Sequence, residues 1–132
     1  MAADKPVHVD PDKAMLIYTT FPSLDAAEAV ANELVGRRLV ACANIIPGML
    51  AIYSWQGKLH RDQEVVTVLK ARRGLCDAVI AATKALHPFD NPAIVALEVV
   101  AGSDDYLRWI ATQTMPADVA GQSRLNSNDA SP

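Results

Sequence analysis

The chain has 132 residues, 51% hydrophobic and 20% charged, which sets it at about one domain with enough apolar mass for a core. Twelve Lys and Arg against 15 Asp and Glu leave a formal charge of −3, and aromatics make up only 5%; that balance argues against a basic nucleic-acid surface or a base-stacking platform. No apolar run approaches the ~18 residues of a membrane span, and Cys42 and Cys76 cannot build a disulfide framework or a CxxC zinc module.

The N-terminal stretch 1–13 carries Asp, Lys and Pro with no apolar period. It also lacks the apolar h-region of a secretory signal, so the expected setting is cytoplasmic and reducing. Ala14–Thr20 is a short β-rich apolar run, read as a buried strand ended by Phe21-Pro22. Ser23 is a good N-cap, Asp25 suits the positive end of a helix dipole, and Leu24, Ala27, Ala31 and Leu34 share one face. That helix is expected to stop near Gly36.

Leu39–Trp55 reads as a second strand, with a bend or bulge at Pro47-Gly48. Gln56-Gly57 is a two-residue hairpin turn, and Lys58–Arg72 returns as a third strand. Gly74 leads into a second helix whose expected inner face is Leu75, Ala78, Val79, Ala82 and Leu86. His87-Pro88 ends it, and Ile94–Val100 is a fourth strand. Ser103 is expected to cap a last helix with Leu107, Ile110 and Ala111 inward. From Met115 onward the composition cannot support packing. The expected domain is therefore 14–114, flanked by disordered tails at 1–13 and 115–132.

The order β-α-β-β-α-β-α predicts an α+β, ferredoxin-like split βαβ sandwich with both of its first helices on one face of the sheet. Its central hairpin has arms of about 15 residues, roughly 50 Å at 3.3 Å per residue, against the usual 17–20 Å of a globular strand. Such a hairpin overhangs its own domain, yet it carries Ile45, Ile46, Met49, Leu50, Ile52, Tyr53 and Trp55. An uncovered ribbon of that composition is marginal in water, so an obligate oligomer is expected.

Five stretches now stand out: Leu39–Ile46 (LVACANII), Tyr53–Lys58 (YSWQGK), Glu64–Lys70 (EVVTVLK), His87–Pro92 (HPFDNP) and Asp105–Ile110 (DYLRWI). In this order and spacing the chain resembles the CutA-type divalent-cation tolerance proteins, over about residues 14–113. The resemblance implies a PII-like homotrimer without enzymatic activity that binds or responds to divalent metal such as copper, none being required for folding. An alternative is a PII-like signalling or structural trimer with only an indirect metal link. The chain departs from the family pattern where His87-Pro88-Phe89-Asp90 replaces His-Pro-Tyr-Glu, where Ala93 replaces a Glu, and where Ala71 replaces a Thr.

Three residues in the recurring motifs are the candidate metal ligands. Cys42 is either a small buried hydrophobe or a soft thiolate for copper. His87 is either a helix-end cation or an imidazole ligand. Glu64 alternates with Asp62 and His60 along one strand face, which is either a solvated face or one wall of an inter-subunit cleft. Tyr53, Trp55, Tyr106 and Trp109 are read first as oligomer contacts and second as a stacking surface for a ligand. Cys76, near a helix start where a thiol pKa falls, is assigned no role, nor are His8 and His60.

Rival functions fare less well. An acylphosphatase needs an Arg near the end of the first strand, where Thr19-Thr20-Phe21-Pro22 stands instead. A ferredoxin-like copper chaperone needs Met-x-Cys-x-x-Cys. A PII-type nucleotide site has only Arg72-Arg73-Gly74 as a weak phosphate cradle.

Overall fold

The computed structural model describes residues 10–116; the outer parts of both expected tails, 1–9 and 117–132, lie outside the described residues. Strand β1 (Ala14–Phe21) alternates Met15, Ile17, Thr19 and Phe21 inward. Helix α1 (Leu24–Gly36) follows, with the Ser23 hydroxyl accepting from the Ala26 N–H at 3.1 Å. Its Ala27, Val30, Ala31 and Leu34 are buried.

The helix stops where expected, by a different device. The Leu39 N–H reaches back to the Leu34 carbonyl and the Arg38 N–H to that of Val35, which is a Schellman ending. Its left-handed residue is Arg38, at φ 60°, not glycine. Holding a non-glycine residue there costs on the order of 1 kcal/mol. Two features offset it: Leu39 and Leu34 join the same core cluster, and the Arg38 side chain is bonded to the carbonyls of Thr112 and Gln113.

Strands β2 (Cys42–Trp55) and β3 (Lys58–Arg72) form the long hairpin. Gln56 and Gly57 both take positive φ, 51° and 75°, the signature of a type I′ turn. Pairing runs from Cys42↔Lys70 to Ile46↔Val66 and resumes at Met49↔Glu64. Strand β2 thus advances one residue more than β3 across Pro47-Gly48, a bulge with Gly48 at φ 83°. An extra residue reverses which side chains face which way. Beyond the bulge, Met49, Ala51, Tyr53 and Trp55 therefore share a face with Glu64, Asp62, His60 and Lys58.

A turn of 3₁₀ helix (Arg73–Leu75) leads into α2 (Cys76–Leu86), and β4 (Ile94–Glu98) and α3 (Asp104–Gln113) complete the chain. The sheet order is β2-β3-β1-β4, with β1 antiparallel to both neighbours, as a ferredoxin-like sandwich requires. The core lies between the sheet and the first two helices: Ile17, Phe21, Leu34, Leu69, Leu75 and Val79 are its largest members. Leu86, expected inside, is exposed, and Thr83 is buried in its stead. The His87 ring covers Phe21 at that end of the core, while the Thr83 hydroxyl donates to the Val79 carbonyl at 2.7 Å and so satisfies itself within the helix.

Helix α3 crosses the other face of the sheet, over Lys70 and Arg72. Ser103 occupies its N-cap position, but the hydroxyl makes no capping bond; Asp104 and Asp105 alone favour that end of the dipole. Two arginines hold the opposite end. Buried Arg72 donates to the carbonyls of Ala111 and Thr114 and to the Thr114 hydroxyl. Arg38 donates to the carbonyls of Thr112 and Gln113. The carbonyls that a helix leaves without intrahelical partners are thus filled by side chains from distant strands and loops.

Ordered contacts also reach beyond the expected domain limits of 14 and 114. Asp12 pairs with Arg72 at 2.6 Å. The carbonyls of Lys13 and Pro11 accept from the Arg73 and Gly74 N–H groups, and Met115 packs on the core with its N–H on the Arg38 carbonyl.

Beyond Val65 the hairpin outruns β1, so Lys58–Glu64 is paired with β2 alone. That overhang is roughly 20 Å long. The sheet face opposite α1 and α2 also leaves Ile46, Val95 and Leu97 more than half exposed, an apolar area of the kind that marks an association surface.

Candidate functional site: an acidic groove at the root of the hairpin

From the point where the hairpin leaves the sheet out towards its tip, its Tyr53/Glu64 face and the loop after α2 border a groove of about 720 Å³. Asp62 and Glu64 come from β3, Tyr53 and Trp55 from β2, Thr20 from the end of β1, and Phe89 and Asp90 from the loop. Two of the carboxylates are oriented from within the chain. The Tyr53 hydroxyl donates to Asp62 at 2.5 Å and the Thr20 hydroxyl to Glu64 at 3.2 Å. The Asp62 bond holds the Tyr53 phenol above its ordinary pKa, with burial and the charges of Asp62 and Glu64 acting the same way. His60 stacks on Tyr53 at 5.2 Å and steadies the ring. Among the described residues, no Lys or Arg lines the groove.

The three expected ligands divide. Glu64 is in the groove. His87 lies directly behind it, buried, with its ring stacked on Phe21 at 4.4 Å and tilted against Phe89 at 5.2 Å. Its Nδ1 accepts from the Phe89 N–H at 3.1 Å, and its Nε2 lies 2.7 Å from the Thr20 carbonyl. An acceptor at Nδ1 assigns the proton to Nε2, which donates to Thr20. Both ring nitrogens are thus occupied within the chain. Thr20 couples the two residues, its hydroxyl to Glu64 and its carbonyl to His87.

Cys42 is elsewhere. It pairs with Lys70, six residues along β3 from Glu64, or about 20 Å of strand. Its thiol lies 3.9 Å from the Tyr106 hydroxyl, which accepts from the Lys70 ammonium at 2.8 Å. That bond is the main reason the Lys70 ammonium is held above its ordinary pKa. Tyr106 also stacks on Trp109 at 5.6 Å, so these two aromatics are partly engaged within their own helix and sheet. Among the described residues, no three His, Cys, Asp or Glu side chains converge on a ready-made metal site.

The remaining candidates are used structurally. Arg72 is committed to α3 and Arg73 pairs with Glu98, which leaves no phosphate cradle at that turn. Burial pushes the Cys76 thiol up, with the charge of Asp77 adding to it, the reverse of the effect a helix start was expected to have. Cys76 in the folded protein should therefore react with iodoacetamide at pH 8 more slowly than in the unfolded chain, because the thiolate is the nucleophile. Mass spectrometry of the Cys76 peptide measures this; equal rates would refute it.

Sequence reasoning overlooked Thr20 and Asp90 as groove residues. Alternation along β1 is the signal for Thr20, since it must face away from Phe21. For Asp90 the signal is weak, because a loop carries no periodicity.

The fold and the groove define a class: a ferredoxin-like protein with an acidic cleft at the root of an overhanging hairpin. Residues 15–113 match the family described as CutA1 divalent ion tolerance protein. The divalent-cation tolerance protein CutA of Pyrococcus horikoshii is 41% identical over 100 residues, covering 76% of this chain and 97% of that one. The chloroplastic CutA of Arabidopsis thaliana is 36% identical over 101 residues; the chain spans just over half of that relative, 56% of its length. The crystal structure of CutA from Xylella fastidiosa superposes with a TM-score of 0.76 at 37% identity, over 78% of this chain and 99% of that one. The chain belongs to the CutA1 divalent ion tolerance family.

Proposed function

We propose that the protein works as a homotrimer that binds divalent cations, copper among them, at the acidic groove, without catalysing a reaction. The observation that carries this reading is three carboxylates around one groove with no Lys or Arg in its lining among the described residues. Asp62 and Glu64 are each held by one hydroxyl, which orients them without cancelling their charge. Oxygen donors of this kind suit hard divalent ions; copper is better served by thiolate and imidazole.

Assembly supports the same reading. The overhang and the half-exposed Ile46, Val95 and Leu97 need cover, and a neighbouring copy supplies it. Trp55, 53% exposed near the hairpin tip, is the natural anchor of that contact. Cys42 enters a metal site in this scheme only from a neighbouring subunit, and His87 only by giving up a bond to Thr20 or Phe89.

The test is calorimetric titration of copper(II) and manganese(II) into the protein, with light scattering confirming the trimer for each variant. A double Asp62→Asn, Glu64→Gln variant is expected to bind at least about tenfold more weakly, the equivalent of roughly 1.4 kcal/mol. A Cys42→Ser variant separates copper held by thiol from cations held by the groove. Unchanged affinity in the double variant overturns the assignment, and a monomer at micromolar concentration overturns the assembly.

A further inference from the structure

The groove has a feature that a bare metal ion does not use. Tyr53 and Phe89 line the same space as Asp62, Glu64 and Asp90, and these two aromatics are 41% and 40% exposed. At about 720 Å³ the space is of the size that holds a whole organic ligand. A divalent ion bound directly to protein needs several oxygens converging at about 2.0–2.6 Å. A diffuse organic cation has no such requirement. It needs negative charge nearby and aromatic faces against which its alkyl groups lose water.

We propose that the groove binds a small quaternary ammonium compound, its charge toward the carboxylates and its methyl groups against Tyr53 and Phe89. This rests on the cation preference argued for the same groove above, and adds a ligand class. The hydroxyls of Tyr53 and Thr20, both uncharged donors, orient Asp62 and Glu64. The loop behind Phe89 is pinned by His87, so one aromatic wall is preformed.

Choline and its neutral isostere 3,3-dimethylbutan-1-ol are the probes, titrated calorimetrically into the full-length protein. Choline is expected to bind at least about tenfold more tightly than the isostere, the scale of a cation over desolvated aromatic faces. Asp90→Asn and Phe89→Leu, both at exposed loop positions, are each expected to weaken choline severalfold while circular dichroism stays unchanged. Equal binding of the two probes, or no saturable choline binding, overturns the proposal. Manganese titrated into the same sample distinguishes the two readings: metal binding without choline binding defeats this inference alone, and choline binding without metal binding upholds it while defeating the divalent reading. A trimethyllysine peptide that bound far more tightly than choline would move the ligand from a free small molecule to a protein tail, and so overturn the proposal as stated.

Discussion

Arg72→Met is expected to lower the stability of the fold by about 3 kcal/mol, the largest effect of any single charged residue here, since orphaned buried acceptors cost about 1–3 kcal/mol each. The guanidinium is nearly buried and donates to two carbonyls at the end of α3, to the Thr114 hydroxyl and to Asp12. Methionine fills most of the volume but leaves the Thr114 carbonyl without its guanidinium donor, while the Ala111 carbonyl keeps the Thr114 N–H and hydroxyl. Little of the loss comes from the ion pair itself, because the Asp12 carboxylate is largely exposed. The helix should detach first, as Ile110 is its one buried residue. Arg73→Met is the control: its Glu98 partner is exposed, so its loss should cost at most about 1 kcal/mol. Urea unfolding of both variants, with limited proteolysis across α3, measures the difference. Equal midpoints would mean that the helix is held by Ile110 and Arg38 alone.

His87→Ala is expected to cost about 2–4 kcal/mol, combining a lost buried ring with two lost hydrogen bonds. The ring bridges Phe21 in the core and Phe89 in the groove loop, and its nitrogens tie β1 to that loop. Ligand binding in this variant should also fall, because the loop carrying Phe89 and Asp90 loses its pin. That fall alone does not make His87 a ligand. Long-range ¹⁵N spectra of the imidazole separate the two roles. A positioning ring keeps both its Nε2–H tautomer and its Nδ1 shift when diamagnetic zinc is added. A large coordination shift at either nitrogen would show direct coordination and overturn the structural assignment.

Local rules account for most of the architecture. Ser23, Asp25 and the apolar spacing define α1; Gly57 marks the hairpin turn, since glycine accepts positive φ cheaply, and Gln56 takes positive φ beside it. Right-handed crossovers then leave one sheet order for the split βαβ pattern. The overhang follows from strand length alone. Five family motifs added the identity, and residues 15–113 carry it.

The site was only partly legible. Alternation put Glu64 and Asp62 on one face, but Tyr53 and Trp55 join them only because the bulge at Pro47-Gly48 reverses the parity of β2. A Pro-Gly pair announces a bend; whether it inserts one residue or none depends on the pairing with β3. The Schellman turn at Arg38 could not be read either, because its left-handed residue lacks the glycine that signals one.

Sequence by itself determined the elements, their order, the overhanging hairpin and the family, because each depends on neighbours a few residues away or on motifs with fixed spacing. Tertiary structure alone decided that Glu64 and His87 meet at Thr20, that Cys42 lies about 20 Å of strand away, and that Arg72 serves α3. Those pairings join residues from dozens of positions apart, and a buried hydrogen bond has no periodicity by which a sequence could announce it.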